Sequence, residues 1–343
     1  MLFVSTDRER RRIMRKIRVA QIGTSRYSHG NEIFGAIAAN TDVFEIVGYA
    51  MPENERKKFG SKLKRFAPYR EMSVEEIMND ESIEAVIIET EEIYLTKYAL
   101  MAAEHGKHIH MEKPGGLSLE DFEKLIETVR KKGLVFHTGY MYRYNPAIKD
   151  IVERVKAGEI GEVISVEAQM SGYRGIEQTS WLKTFGGGMM FYLGCHLIDL
   201  VLRIQGVPKR IIPYNKSSGT HDTDAKDFSF ATFEYDRGVS FVKTTQAEMG
   251  GFLRRQLVIT GTRGKFEVRP LEITVEYPLQ YTEYIECKSE DWNDPGVSHR
   301  SEVHDRYTDM MRSFGAMVAG EIENPYTYDY ELTLYKTLLK CCE

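Results

Sequence analysis

Five short, nearly continuous apolar runs stand at 17–23, 44–50, 85–89, 108–112 and 135–139, each separated from the next by a segment that reads as helix. Strands that are apolar throughout, without alternation, are buried on both faces, the condition of a parallel sheet covered by helices on either side. The pattern predicts a doubly wound, nucleotide-binding type of α/β domain over 16–140. Beyond Pro146 the character changes. A helix to about Lys156 is followed by a strand over 163–170, the break Gly186-Gly187-Gly188, and a helix through Gln205. Alternating runs then follow at 228–235, 239–246, 256–260 and 265–268. Strands in succession, without helices between them, predict a second, α+β domain over 141–343 built on a large, open, mainly antiparallel sheet. Helices over 304–318 and 330–339 close the chain.

The end of the fourth run is the most informative stretch: His110-Met111-Glu112-Lys113-Pro114-Gly115-Gly116. Ligands of open parallel sheets bind at the C-terminal ends of the strands. Gly106 suits the left-handed cap of the preceding helix, and Pro114 biases Lys113 away from helical geometry, so the strand ends here. Ser118 fits the N-cap of the next helix, with Asp121 at the capping-box position and Gly133 as the stop. Lys113 is thereby fixed on a corner beside Glu112, where a lysine's pKa can be tuned for proton transfer. An ordinary loop lysine is the competing reading.

The turn after the first run, Ile22-Gly23-Thr24-Ser25-Arg26-Tyr27-Ser28-His29-Gly30, keeps one glycine of a GxGxxG fingerprint that would place glycines at 23, 25 and 28. Ser25 and Ser28 replace the others, and small hydroxyl side chains can donate to phosphate. After the second run, Ala50-Met51-Pro52-Glu53-Asn54 lacks an acid at the expected ribose-binding position. Glu53 is the candidate substitute, or a helix-start carboxylate favoured by the dipole. Arg56, Lys57 and Lys58 suit either a 2′-phosphate or a solvated helix face.

The formal net charge of −5 argues against a general nucleic-acid binder, and no apolar run approaches the length of a membrane span. Cys195, Cys287, Cys341 and Cys342 show neither metal-ligand nor disulfide spacing, so no metal site and a cytoplasmic location are expected. The arginine-rich residues 1–15 lack the apolar segment of a secretory signal and read as a loose basic tail, with Met14 a possible start.

Taken in order, several segments resemble the family of glucose-fructose oxidoreductase, inositol dehydrogenase and rhizopine catabolism proteins (Gfo/Idh/MocA). These are Glu112-Lys113-Pro114 after Glu104-His105-Gly106-Lys107-His108, then Gly139-Tyr140-Met141-Tyr142-Arg143-Tyr144-Asn145-Pro146, and Gly158-Glu159-Ile160-Gly161-Glu162-Val163. The triple glycine with Gly194-Cys195-His196-Leu197-Ile198-Asp199 is similar to the family's GGGxxxDxGxHxxD. The resemblance covers about 16–339 and implies a Rossmann domain binding NAD or NADP, followed by a substrate domain with an open sheet. It implies Lys113 as the catalytic lysine and His196 as its partner. Tyr192 stands where the family has an aspartate, four residues before His196, and reads as either an acid–base residue or a packed interface aromatic. Gly23, Thr24, Ser25, Glu53, Thr90, Glu112, Pro114 and Arg143 become the cofactor-binding candidates. Arg143, Tyr173 and Trp181 join Lys113, Tyr192 and His196 around the substrate.

The family's T-P-N-x-x-H reads Thr90-Glu91-Glu92-Ile93-Tyr94-Leu95 here, so only its threonine remains. The expectation is an NAD(P)-dependent oxidoreductase of a sugar, cyclitol or related polyhydroxy compound. The resemblance further implies self-association as a dimer or tetramer through the second-domain sheet. A non-catalytic sensor, favoured by the altered cofactor positions, and a lyase or hydrolase with tightly held NAD are the alternatives.

Overall fold

The computed structural model describes residues 15–343; of the expected basic tail only Arg15 is included, and it pairs with Glu84. Strands β1 (Ile17–Ile22), β2 (Phe44–Ala50), β3 (Ala85–Ile88), β4 (His108–Met111) and β5 (Phe136–Thr138) form a parallel sheet in the order β2-β1-β3-β4-β5. The predicted bounds hold to within one residue at each end. The apolar runs are buried on both faces, as the pattern required. Val19, Ala85 and Ile87 meet Ile33, Phe34 and Ile37 of the helix Gly30–Ala39. Ala20, Val86 and Ile88 meet the helices Leu95–Glu104 and Leu119–Lys132 on the other face.

The second domain carries an eight-stranded sheet in the spatial order 297–300, 283–287, 264–268, 256–261, 163–171, 239–245, 228–234, 210–216. Every neighbouring pair is antiparallel except 163–171 with 239–245. Val166, Ala168, Met170, Ala231, Phe233 and Val242 point inward to the helices Pro146–Lys156 and Cys195–Gln205. The strands at 273–276, 279–281 and 304–305 form a separate small ribbon. Residues 304–305 were expected to begin a helix. They pair in that ribbon instead, and the helix starts at Thr308, where the Asp305 carboxylate accepts the amides of Tyr307 and Thr308.

The last helix, Tyr328–Cys342, crosses back to the first domain. Tyr335 stacks on Phe122 with ring centroids 4.0 Å apart and donates to the Gly116 carbonyl at 2.6 Å. The lysine corner is therefore braced by the last helix of the chain. Among the described residues no helix is long and apolar enough to cross a membrane.

Candidate active site

Lys113 is placed by backbone chemistry on both sides. Gly106 adopts φ +74° to end the helix before β4, and Ser118 Oγ caps the Asp121 amide at 3.1 Å to start the helix after it. The Lys113–Pro114 peptide is cis, and the Gly116 amide donates to Thr96 Oγ1 at 2.7 Å. The result is a lysine at the C-terminal edge of the sheet that is only 2% exposed.

Its surroundings come from the second domain. Residues Met190–Gly194 form a π-helical turn before the α-helix Cys195–Gln205. Such turns widen the backbone and release carbonyls from the regular ladder. The Tyr192 carbonyl accepts from Lys113 Nζ at 3.1 Å and from Cys195 Sγ at 3.4 Å. Lys113 Nζ also stands 4.8 Å from the centre of the Tyr192 ring, a cation–π contact, and 3.4 Å from Glu112 Oε1. Burial opposes the charge on Lys113, but Glu112, with Cys195, Tyr192 and Glu92 adding to it, outweighs burial and holds the amine above the ordinary lysine value. Burial likewise lifts the Glu112 carboxyl above its usual range, with Lys113 working against it.

The four-residue spacing of Tyr192 and His196 suggested one α-helical face. The π-turn breaks that geometry: the Tyr192 hydroxyl turns to the first domain and donates to the Tyr27 carbonyl at 2.9 Å. Burial raises its phenol to about 12, Lys113 opposing. His196 is 2% exposed between the edges of Tyr140 and Tyr142, both 5.7 Å away. Burial, then the positive charge of Lys113, hold its imidazole neutral, well below its usual pKa.

Carboxylates crowd the ends of β3 and β4. Glu89 and Glu92 are essentially unexposed, and burial pushes Glu92 up to about 7 against the pull of Lys113. Glu55 was not anticipated. Glu53 and Asn54 both take left-handed φ, 56° and 60°, and curl the chain so that the Glu55 carboxylate turns inward. There it accepts the Thr24 amide at 2.8 Å and the Glu91 amide at 3.3 Å, with burial pushing its pKa up to about 7. Glu53 instead pairs with Lys97 at 2.7 Å and accepts from Tyr98 at 2.8 Å. Arg56 binds Glu71, and Lys58 stands 3.4 Å from Glu91. The sequence signal for Glu55 was the acid two residues beyond the position searched.

Arg143 is buried and its donors are spent inside the protein. It pairs with Asp199 at 2.8 Å, contacts Glu331 and donates to Thr138 at 3.0 Å, sandwiched between the rings of Tyr140 and Tyr326 at 4.5 and 3.9 Å. It clamps three elements together. Trp181 packs edge-on against Tyr27 at 4.8 Å and Tyr192 at 5.0 Å, on the same side as the lysine. Tyr173 is 40% exposed and lies toward His221, away from that cluster.

Gly23 (φ +85°) lets the first loop press on the third: a Cβ there would lie 2.7 Å from the Thr90 backbone. The hydroxyls of Thr24 and Thr90, one carboxylate oxygen of Glu92, and His196 Nδ1 are buried without a hydrogen-bond partner. Unmet buried polar atoms are costly, and these lie at the sheet edge where dinucleotides bind. The set suits a polar ligand bearing hydroxyls and phosphates, so the residues present fit a nicotinamide dinucleotide.

Comparison with known proteins agrees with this geometry. Residues 17–140 match the oxidoreductase family with an NAD-binding Rossmann fold, and residues 148–267 match a Gfo/Idh/MocA C-terminal domain. A scyllo-inositol 2-dehydrogenase (NADP(+)) of Bacillus subtilis is 25% identical over 65% of the chain and 62% of its own length. A scyllo-inositol 2-dehydrogenase (NAD(+)) of the same organism is 35% identical over 36% of the chain and 35% of its length. The chain thus spans under two thirds of these two relatives. A 3-ketoreductase from Actinomadura kijaniata, solved with NADP and TDP-benzene, superposes with a TM-score of 0.77 at 15% identity, covering 94% of this chain and 96% of the other. The chain belongs to the Gfo/Idh/MocA family of oxidoreductases, with an N-terminal NAD-binding Rossmann domain.

Proposed function

We propose that this Gfo/Idh/MocA oxidoreductase transfers hydride between a nicotinamide dinucleotide and a sugar, cyclitol or related polyhydroxy compound, with Lys113 and His196 as the proton-transfer pair. The observation that carries the reading is the convergence of Lys113 from the first domain with the Tyr192–His196 segment of the second, beside unmet buried polar atoms at the sheet edge. Gly23, Thr24, Ser25, Thr90, Glu112 and Pro114 are the residues that would hold the dinucleotide, which supplies or takes the hydride when bound.

The side chains do the rest. The Lys113 ammonium donates to the oxygen of a carbonyl as it becomes an alkoxide, or returns to that role after an alcohol gives up its proton. His196, neutral and with Nδ1 free, offers the second hydrogen-bonding group at the same oxygen. Tyr192 holds Lys113 through its carbonyl and ring and ties that grip to the first loop through its hydroxyl. Arg143 acts at a distance, by fixing the domains. The names of the inositol dehydrogenases favour a cyclitol among the polyhydroxy substrates. We also place self-association on the outer face of the large sheet, where Tyr214, Phe230 and Phe241 form an aromatic row with centroids 6.2 and 5.5 Å apart.

The test is direct. Purified protein is screened with NAD+ and NADP+ against inositols and aldoses by the absorbance of the reduced nicotinamide, alongside Lys113→Ala. Turnover that Lys113→Ala lowers by about 10²–10⁴-fold, with dinucleotide affinity within a few-fold, is expected. Failure of calorimetry to detect any of the four oxidised and reduced dinucleotides would overturn the proposal in favour of a sensor.

A further inference from the structure

A polar stripe crosses one buried face of the first sheet, and the chemistry above leaves most of it unused. Glu89 and Glu112 directly follow the paired positions Ile88 and Met111, so they stand side by side on one face. His110 precedes Glu112 by two residues on that face and is paired with His137 of β5. None of the four is more than 2% exposed. His110 Nε2 stands 3.5 Å from Glu89 Oε1, His110 Nδ1 lies 2.7 Å from His137 Nδ1, and His137 Nε2 lies 2.6 Å from the Tyr144 hydroxyl. Tyr144 is half-buried and lines an open cavity of about 470 Å³ with Pro146, Lys149 and Arg312. Phe314 packs over both imidazoles, its ring centre 5.8 Å from His110 and 5.5 Å from His137.

A hydrogen bond between two Nδ1 atoms contains one proton, so the two rings must hold complementary tautomers. In one arrangement Tyr144 donates to His137 Nε2, His137 Nδ1–H donates to His110, and His110 Nε2–H faces Glu89. In the other, every bond is reversed: a protonated Glu89 donates to His110 Nε2, His110 Nδ1–H to His137, and His137 Nε2–H to Tyr144. Burial holds both imidazoles neutral, His110 down to about 3 and His137 well below its usual value with His110 and Arg143 adding to the effect. A relay by tautomer exchange therefore needs no buried imidazolium. Burial, then the charge on Glu112, raises the Glu89 carboxyl well above its usual range; Lys113 opposes, and Glu32 and Glu92 add to the rise.

Lys113 also needs an outlet. As an ammonium it can take no proton from an alcohol until it has passed its own to a neighbour, and Glu112 is 3.4 Å away.

We propose that Glu112, Glu89, His110, His137 and Tyr144 form a proton path between Lys113 and the cavity beyond Tyr144, with the Glu89–Glu112 pair storing one exchangeable proton. This rests on the oxidoreductase reading for its purpose, though not for its test. In the oxidising direction the substrate O–H bond breaks as the carbonyl forms, and the C–H electron pair leaves as hydride to the oxidised nicotinamide. The hydroxyl proton goes to Lys113. One proton enters at Glu112, one leaves from Tyr144, and each group between recovers its proton when the tautomers reset.

The experiment uses the full chain without dinucleotide or substrate. Infrared spectroscopy after mixing into D₂O follows the carbonyl stretch of the buried carboxylic acid as it becomes deuterated, with Glu89→Gln and Glu112→Gln identifying the band. Tyr144→Phe, which keeps the ring, and His137→Gln should each slow that exchange tenfold or more. Exchange at the wild-type rate in a folded Tyr144→Phe, or no carboxylic-acid band removed by either glutamine variant, would overturn the path. The oxidoreductase reading would survive such a result, because it is judged by dinucleotide binding and turnover. If His137→Gln does not fold, Tyr144→Phe alone decides.

Discussion

Replacing Lys113 by methionine keeps the volume of the side chain and removes the one ammonium set among Glu89, Glu92 and Glu112, all at most 2% exposed. The cost should depend on pH, and its sign follows from linkage. Burial already raises the folded pKa of Glu112, with Lys113 holding it down. Without the ammonium it rises further, so the native variant keeps a proton that the unfolded chain releases above about pH 4.5. Each pH unit between the wild-type and the variant folded pKa of Glu112 costs about 1.4 kcal/mol per proton, so within pH 5 to 8 the variant should lose stability relative to wild type as the pH rises. Removing one partner of a buried ion pair typically costs roughly 3–5 kcal/mol, which sets the scale of the loss expected at pH 8. Below the window the difference should shrink or reverse, since the wild type there buries an ammonium beside a neutral acid. Urea unfolding followed by circular dichroism at pH 5, 6, 7 and 8 measures it, with Lys113→Met/Glu112→Gln as the partner variant. The double variant should recover most of the loss at pH 8. A destabilisation that stays the same from pH 5 to 8, or one below 1 kcal/mol at pH 8, would show that the lysine does not carry these carboxylates.

Three other outcomes are expected. Tyr192→Phe keeps the ring beneath Lys113 and loses only the hydrogen bond to Tyr27, so it should cost roughly 0.5–1.5 kcal/mol in stability and leave the pH–rate profile in place; a thousandfold fall in kcat with the fold intact would make the phenol the principal acid–base group. Glu55 has a folded pKa of about 7, raised above its unfolded value, so its contribution to stability falls as pH rises from about 4.5 to 7; Glu55→Gln should flatten the fall of Tm across that window, and an unchanged slope would refute the assignment. Arg143→Met leaves Asp199 and Glu331 buried without their guanidinium and should cost about 3–5 kcal/mol by urea unfolding; a loss under 1 kcal/mol would mean that the clamp is not a stabilising one.

The first domain was legible because its signals are local. Continuous apolar runs marked each parallel strand, and Gly106, Pro114, Ser118 and Gly133 fixed the lysine corner through turn and cap chemistry that acts over a few residues. The small ribbon was not legible: its first two strands, 273–276 and 279–281, form a tight hairpin, but the third, 304–305, joins it by pairing across more than twenty residues and looked like the start of a helix. The helix pattern at 186–199 showed which residues approach Lys113 but not how, because a π-turn leaves no mark in spacing and re-aims Tyr192. Arg143 was read as a ligand contact from its position in a motif, whereas its burial among Asp199, Glu331 and two tyrosines depends on a helix almost two hundred residues away.

The same distinction explains why the buried histidines went unnoticed. Along β4 and the residue that follows it, His110 and Glu112 alternate with Ile109 and Met111, so their common face can be read from the sequence alone. Glu89 directly follows β3 and His137 lies in β5, and each taken singly is an ordinary polar residue at or near the end of an apolar run. Only the parallel register sets Ile88 opposite Met111 and His110 opposite His137, and only then do four scattered residues become one stripe ending beside Lys113. A sheet that needed only packing would place apolar side chains at these positions, since each buried polar group costs free energy unless it is paired. The stripe ends beside Lys113, the residue to which the proposed chemistry assigns a proton, and that coincidence of cost and location argues for a role beyond packing.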